Sequence, residues 1–299
     1  MRLGLGTVQF GTDYGISNAA GLVGEDDVAG ILRLAAENEI AMLDTAAAYG
    51  ESEAVLGRAL WPGHPFHIVT KIPPLRADRV GRHDARKAKD CFLRSLDRLR
   101  QPSVYGLLVH HAPDLRRPGG GHLVEMLLEL KQQGVARKIG ASFYSAAEIR
   151  EARACMTIEL AQVPVSVVDQ RLIADGLLAE LHQAGTEIHA RSVFLQGLLL
   201  MDPSALPAEL ARFGKHLELV GRLAVAAGIS RLSLALCFVG GLADVDVSLV
   251  GVTSTRELRE ILAASRAQMP AMDFSALASQ DELLVNPYRW AALRTPSNA

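Results

Sequence analysis

Residues 40–50 read IAMLDTAAAYG. The apolar run Ile40-Ala41-Met42-Leu43 stops at the carboxylate of Asp44, and the phenol of Tyr49 follows five residues later. A run this short, followed by small residues, reads as a buried strand. A lone Asp and a lone Tyr after one strand ordinarily cap a turn and pack. What stands at the ends of the other strands decides whether these two do more.

Working outward, short β-branched or apolar runs alternate with helix-period segments along the whole chain. The strands are expected at 3–8, 40–44, 66–71, 105–111, 136–142, 160–165, 186–192 and 247–252. Helices are expected at 25–40, 52–60, 84–100, 121–133, 145–155, 171–183, 208–227 and 255–266, with a further apolar one near 230–240. Strict alternation implies parallel strands joined by helical crossovers. Eight such repeats in about 270 residues predict an α/β fold of the (β/α)8 or TIM barrel type. It would be a single domain over 1–299 with a short C-terminal segment from about 270. An open doubly wound sheet would want a GxGxxG turn opening its first helix. GLGTVQFG (4–11) is not followed by a helix at that distance.

Composition narrows the classes. The 299 residues are 49% hydrophobic and 21% charged, and 31 basic against 33 acidic side chains give a net charge of −2. That balance carries no footprint for nucleic acid or an anionic membrane. The densest basic stretch, RADRVGRHDARKAKD (76–90), is interrupted by Asp78, Asp84 and Asp90 and reads as a solvated loop and helix face. Cys91, Cys155 and Cys237 are far apart, with no CxxC or HExxH motif, which fits a reducing cytoplasm better than a disulfide framework. His64, His67, His83, His122, His182, His189 and His216 show no metal-ligand spacing, and no metal is expected. The start MRLGLGTVQFG lacks a signal-peptide core, and the apolar run 232–243 is too short to span a bilayer. A soluble, cytoplasmic protein is expected.

Active sites of such barrels lie at the C-terminal ends of the strands. Those ends carry Asp44 after the second strand, Lys71 after the third and His110-His111 after the fourth, with Tyr49 in the loop beyond Asp44. A free tyrosine, with a pKa of about 10, is a poor acid at neutral pH. A nearby ammonium favours its phenolate, and a carboxylate keeps that ammonium charged and in place. A histidine can orient the substrate oxygen or relay a proton. Together these groups suit protonation of an oxygen that is gaining negative charge, as carbonyl reduction by hydride demands.

The same residues resemble the aldo-keto reductase family. LDTAAAYGESE (43–53) looks like its Asp-Thr-Ala-x-x-Tyr-Gly signature, with Lys71 in IVTK and HHAPD (110–114) at the other catalytic positions. The likeness runs from LGLGTVQFG through KIGAS (138–142) to LVGVTSTRELREI (249–261), and the start GTVQFGTDYGISN resembles a bacterial subset with a weak pointer to sugar-like substrates. It implies an oxidoreductase with Tyr49 as general acid, Lys71 lowering its pKa, Asp44 holding the lysine and one histidine orienting the substrate. Neighbouring strand residues alternate faces, so only one of His110 and His111 can enter the rim. His111-Ala112-Pro113-Asp114 fits the family's His-x-Pro pattern, which selects His111.

The resemblance also implies a nicotinamide cofactor, NADPH first with NADH possible, and a small-molecule carbonyl as partner. Gly6 and Thr7 belong to the glycine-rich start, and Ser142 and Gln162 match the carboxamide positions. Ser192, Phe194 and Gly197 match the pyrophosphate side. Gly251, Thr253 and Ser254 match the phosphate side, and Glu260 an adenine contact. Three positions depart from the pattern. Phe143 replaces an Asn, and Arg191 replaces the aromatic ring that stacks on nicotinamide. Glu257 stands where an Arg often meets the 2′-phosphate, although Arg256 and Arg259 stand beside it. A cation at 191 would weaken the positively charged oxidised nicotinamide relative to the neutral reduced one.

Two other functions use the same barrel. One is an aldolase with Lys71 as a Schiff base, which wants a desolvated lysine of lowered pKa. The other is a nucleotide-sensing subunit with little turnover. Glu51 and Glu53 read as helix N-terminal acids, while VDQRL (168–172) and Trp290 stand where the chain could flank a pocket.

Overall fold

The eight strands pair in chain order and close into a parallel barrel: β1 (Leu3–Gly6), β2 (Met42–Asp44), β3 (His67–Ile72), β4 (Val104–Val109), β5 (Ala136–Ser142), β6 (Leu160–Pro164), β7 (Glu187–Arg191) and β8 (Val247–Gly251). Closure is made by β1 against β8, where Gly6 lies opposite Gly251. This is a computed structural model, and it describes residues 2–75, 78–268 and 272–294. Arg76 and Ala77, which head the basic stretch, lie outside the described residues, as do 269–271 and 295–299 of the C-terminal segment.

The helices that return the chain are α1 (Glu25–Glu37), α2 (Ser52–Ala59), α3 (Arg82–Leu99), α4 (Gly121–Gln132), α5 (Ala146–Arg153), α6 (Arg171–Ala174), α7 (Leu177–Gln183), α8 (Gly214–Ala226), α9 (Arg231–Gly240), α10 (Thr255–Ala264) and α11 (Glu282–Val285). In α1 the residues Val28, Ile31, Leu32 and Ala35 are buried, the helical spacing of a core-facing stripe. The helix expected at 171–183 is two, because Gly176 takes a left-handed conformation (φ 69°) between them. The one expected at 208–227 begins as a 3-10 turn, Ala208–Phe213, before α8. Among the described residues no single helix is long and apolar enough to cross a membrane.

The side-chain alternation of the strands sets what the barrel holds. Met42, Val69, Leu108, Leu160, Val247 and Leu249 form an apolar layer inside it. Deeper toward the N-terminal ends, the Tyr105 hydroxyl and the Lys138 ammonium donate to Glu187, whose other oxygen is 2.8 Å from His189 Nε2. Two residues above the apolar layer, the same strands present Asp44, Lys71, His110, Gln162 and Gly251. The polar rim is thus the next step of one register.

Candidate active site

Lys71 is fully buried and gives its ammonium hydrogens to three acceptors: Asp44 Oδ1 at 2.8 Å, Asp44 Oδ2 at 2.7 Å and the Thr45 carbonyl at 2.8 Å. Its Nζ is also 3.5 Å from the Tyr49 hydroxyl and 5.0 Å from that ring's centre. Asp44 Oδ1 accepts a further hydrogen bond from Gln162 Nε2 at 2.6 Å, and Ser142 Oγ is 3.3 Å from Gln162 Oε1. One chain of contacts therefore runs from Ser142 through Gln162, Asp44 and Lys71 to Tyr49.

Local sequence holds Tyr49 at that place. Gly11 and Gly50 cross so closely that a Cβ on Gly11 would lie 2.0 Å from the Tyr49 carbonyl oxygen. Gly50 also sits at φ 54°, a conformation that side chains disfavour. Below the crossing, Ser52 Oγ donates to the Thr7 carbonyl (2.8 Å) and meets both Thr7 Oγ1 (2.8 Å) and Thr45 Oγ1 (3.1 Å). Glu53 stands in the first turn of α2, as expected, but its carboxylate also has a structural role. It is buried, accepts from Thr70 Oγ1 at 2.5 Å and pairs with Arg98, tying α2 to β3 and α3.

Burial is the largest electrostatic influence on the rim. It pushes the Tyr49 phenol above the ordinary tyrosine range; the Asp44 carboxylate pushes the same way, and the Arg191 guanidinium pulls back. The cation that lowers the phenol is thus Arg191, whereas the sequence pointed to Lys71. Burial pulls the Lys71 ammonium downward, opposed by Asp44. Tyr14, which also faces the cavity, is raised to about 12 by burial and then by Tyr49.

The histidine pair corrects the sequence expectation. His110, not His111, lines the cavity, with its ring edge-on to Tyr49 at 5.7 Å. The reason is register: Leu108 belongs to the inner layer, so the position two residues on faces inward as well. His111 turns outward, with Nδ1 2.8 Å from Asp114 Oδ1. Burial, followed by the charges of Lys71 and Arg191, lowers the His110 pKa to about 3, so its imidazole is neutral in the physiological range. Its Nδ1 is buried without a hydrogen-bond partner.

A cavity of about 360 Å³ runs from Tyr49 and His110 to Glu257, Glu260 and Ile261. Of the cofactor residues expected from sequence, Gly6, Thr7, Ser142, Gln162 and Arg191 line its inner part. Ser192, Phe194, Gly197, Gly251, Thr253 and Glu260 line the rest. Ser254 and Arg256 do not. Ser254 caps α10, its Oγ accepting from the Glu257 amide at 3.2 Å, and Arg256 turns its side chain to solvent, 83% exposed. Phe143 is buried in the core. Asp169 pairs with Arg171 at 2.8 Å, and Trp290 is buried with Nε1 donating to the Leu283 carbonyl, so neither reaches the cavity. Sequence reasoning missed Gln9, Tyr14 and Tyr144, which do line it.

The lining suits a dinucleotide. Gln9 Oε1 is buried without a partner, and its amide nitrogen lies where a Cβ on Gly251 would be 2.6 Å away. Glycine at 251 therefore leaves room for a polar wall. After β7, Ser192, Leu195, Gln196 and Gly197 take left-handed conformations (φ 64°, 47°, 55° and 91°). Three of these are strained non-glycine residues, which collect at functional sites, and successive backbone turns of this kind make anion-binding concavities. Among the described residues no group of His, Cys, Asp or Glu could hold a metal ion.

Comparison with known proteins agrees with this geometry. Residues 2–282 match the model of the aldo/keto reductase family. The fold is similar to that of an aldo-keto reductase from Bacillus halodurans in its holo form, at 21% identity and TM-score 0.73, over 93% of this chain and 92% of that one. It is also similar to a glycerol dehydrogenase from Gluconobacter oxydans, at 21% identity and TM-score 0.68, over 99% and 94%. No curated protein sequence matches the chain significantly.

Proposed function

The chain belongs to the aldo/keto reductase family, and on that premise we propose that it reduces an aldehyde, ketone or sugar-like carbonyl with a reduced nicotinamide dinucleotide, Tyr49 supplying the proton. The observation that carries this reading is the Lys71 ammonium, fixed by both oxygens of Asp44 and 3.5 Å from the Tyr49 hydroxyl at the inner end of the cavity.

The cofactor supplies the hydride. Tyr49, its pKa raised by burial and by Asp44, keeps its proton in the physiological range and can release it only to an oxygen that becomes strongly basic. As the phenol loses its proton, the adjacent ammonium stabilises the charge left behind. At about 4 Å and an effective dielectric near 20, that attraction is about 4 kcal/mol before Asp44 offsets part of it. Neutral His110 holds the substrate oxygen by a hydrogen bond without competing as an acid. Ser142 and Gln162 would hold the carboxamide, with Gln162 already fixed through Asp44. An aldolase role for Lys71 fits poorly, because its hydrogens are committed to Asp44 and Thr45.

The sequence pointed to NADPH first. At the far end of the cavity, however, Glu257 and Glu260 are in the wall and Arg256 faces solvent. Glu257 also accepts from the Thr253 amide at 2.7 Å, which holds its carboxylate there. Two carboxylates would repel a 2′-phosphate, and this speaks for NADH over NADPH. The sparse free cysteines suit a cytoplasmic setting. A cofactor-depletion assay of a carbonyl panel, with NADH and NADPH in parallel, tests the whole reading. Oxidation of either cofactor that depends on a carbonyl supports it, and depletion with no member of the panel rejects it.

A further inference from the structure

Arg191 is a charged group of the inner cavity that no carboxylate among the described residues neutralises. Lys71 is neutralised by Asp44, His110 is neutral, and the two glutamates stand at the opposite end. Arg191 donates to the Phe143 carbonyl at 2.9 Å and to Ser192 Oγ at 3.2 Å, and its guanidinium lies 4.2 Å from the centre of the Tyr144 ring. No carboxylate among the described residues pairs with it, and Asp169 is committed to Arg171. A guanidinium carries five N–H donors in a planar fork, so these two hydrogen bonds leave donors open while the tyrosine ring packs against it. Its charge bears on Tyr14, Tyr49 and His110, which places it beside the groups that would handle the carbonyl.

A partly buried cation with unused donors is a natural partner for an anion, since charge-assisted hydrogen bonds to a guanidinium are both strong and directional. We propose that the preferred substrates are carbonyl compounds bearing an anionic group, a carboxylate or a phosphate, which pairs with Arg191 while the carbonyl oxygen lies at Tyr49 and His110. The aromatic surface continues from Tyr144 to Tyr288, 6.0 Å away and exposed. The inference rests on the reductase reading and adds the substrate class to it.

The test compares matched pairs at saturating reduced cofactor: succinic semialdehyde against its methyl ester, and glyceraldehyde phosphate against glyceraldehyde. In the wild type the anionic member of at least one pair should be favoured by about tenfold or more in kcat/KM, chiefly through KM, and the pair that responds distinguishes carboxylate from phosphate. Arg191→Met should reduce that ratio about tenfold, and Arg191→Lys should restore part of it. If Arg191→Met does not fold, inhibition of the wild type by succinate but not succinamide, weakening with salt, supports the proposal; equal inhibition by both rejects it. A wild-type ratio near one overturns it, as does a ratio unmoved in Arg191→Met. Equal losses on both members of a pair would assign Arg191 to the cofactor instead. Failure to reduce any member with either cofactor would reject the reductase reading itself.

Discussion

Lys71 Nζ and Asp44 Oδ2 lie 2.7 Å apart with both side chains almost wholly out of solvent. A buried pair of this kind is costly to break on one side, because the remaining charge loses its partner but stays desolvated. Lys71→Met should therefore destabilise the protein by about 3–5 kcal/mol and abolish most turnover. Adding Asp44→Asn should recover part of the stability and none of the activity. Denaturant unfolding of the two single variants and the double one checks this. Additive losses would show that the pair is not coupled.

The histidines separate by register. His110→Ala should lower hydride-transfer turnover by about 10²–10³, the usual effect of removing a donor aimed at a developing oxyanion. His111→Ala loses the contact with the buried Asp114, which keeps Arg117 and the Leu75 amide as partners, for about 1–2 kcal/mol of stability. Single-turnover rates and urea midpoints on both variants decide it; the reverse pattern would return the role to His111.

That pair also illustrates what can be read from sequence alone. The barrel was legible because eight apolar runs alternate with helical periods, and Asp44 and Lys71 were legible because each is a charged residue at or next to the C-terminal end of its strand. Choosing between adjacent histidines required knowing that Leu108 points inward, a parity that local spacing does not give. Counting in steps of two from the smaller inner-layer residues would have supplied the signal. Gln9, Tyr14 and Tyr144 come from loops whose path depends on long-range contacts such as the Gly11–Gly50 crossing. The outward turn of Arg256 depends on the rotation of α10, fixed by its Ser254 and Glu257 cap.

A second buried network, below the apolar layer, makes stability depend on acid. Burial alone would raise the Glu187 pKa, but hydrogen bonds from His189, Lys138 and Tyr105 outweigh it and hold it near about 2. A pKa depressed on folding gives stability that is complete above the unfolded value, near 4.5, and is lost as pH falls toward about 2. Allowing for partial exposure, the contribution is about 1–2 kcal/mol. Glu187→Gln should lose that much at neutral pH and show a flatter decline across this window, measured by urea unfolding against pH. Parallel curves for the two proteins would remove Glu187 as the cause.

Arg191 also bears on the direction of reaction. With no carboxylate among the described residues paired to it, its charge should disfavour the cationic oxidised nicotinamide relative to the neutral reduced form. Arg191→Tyr should tighten the oxidised cofactor more than the reduced one, shifting their affinity ratio about tenfold. Calorimetric titration of both forms against both proteins measures it. Equal tightening would mean that the guanidinium does not act on the ring.

The central claim, that Tyr49 delivers the proton, is tested most directly by single-turnover hydride transfer in Tyr49→Phe with reduced cofactor already bound. The substitution keeps the ring in contact with His110 and removes only the acid. The rate should fall by about 10²–10⁴ while cofactor affinity stays within a few-fold. Hydride transfer at close to the wild-type rate would contradict the assignment.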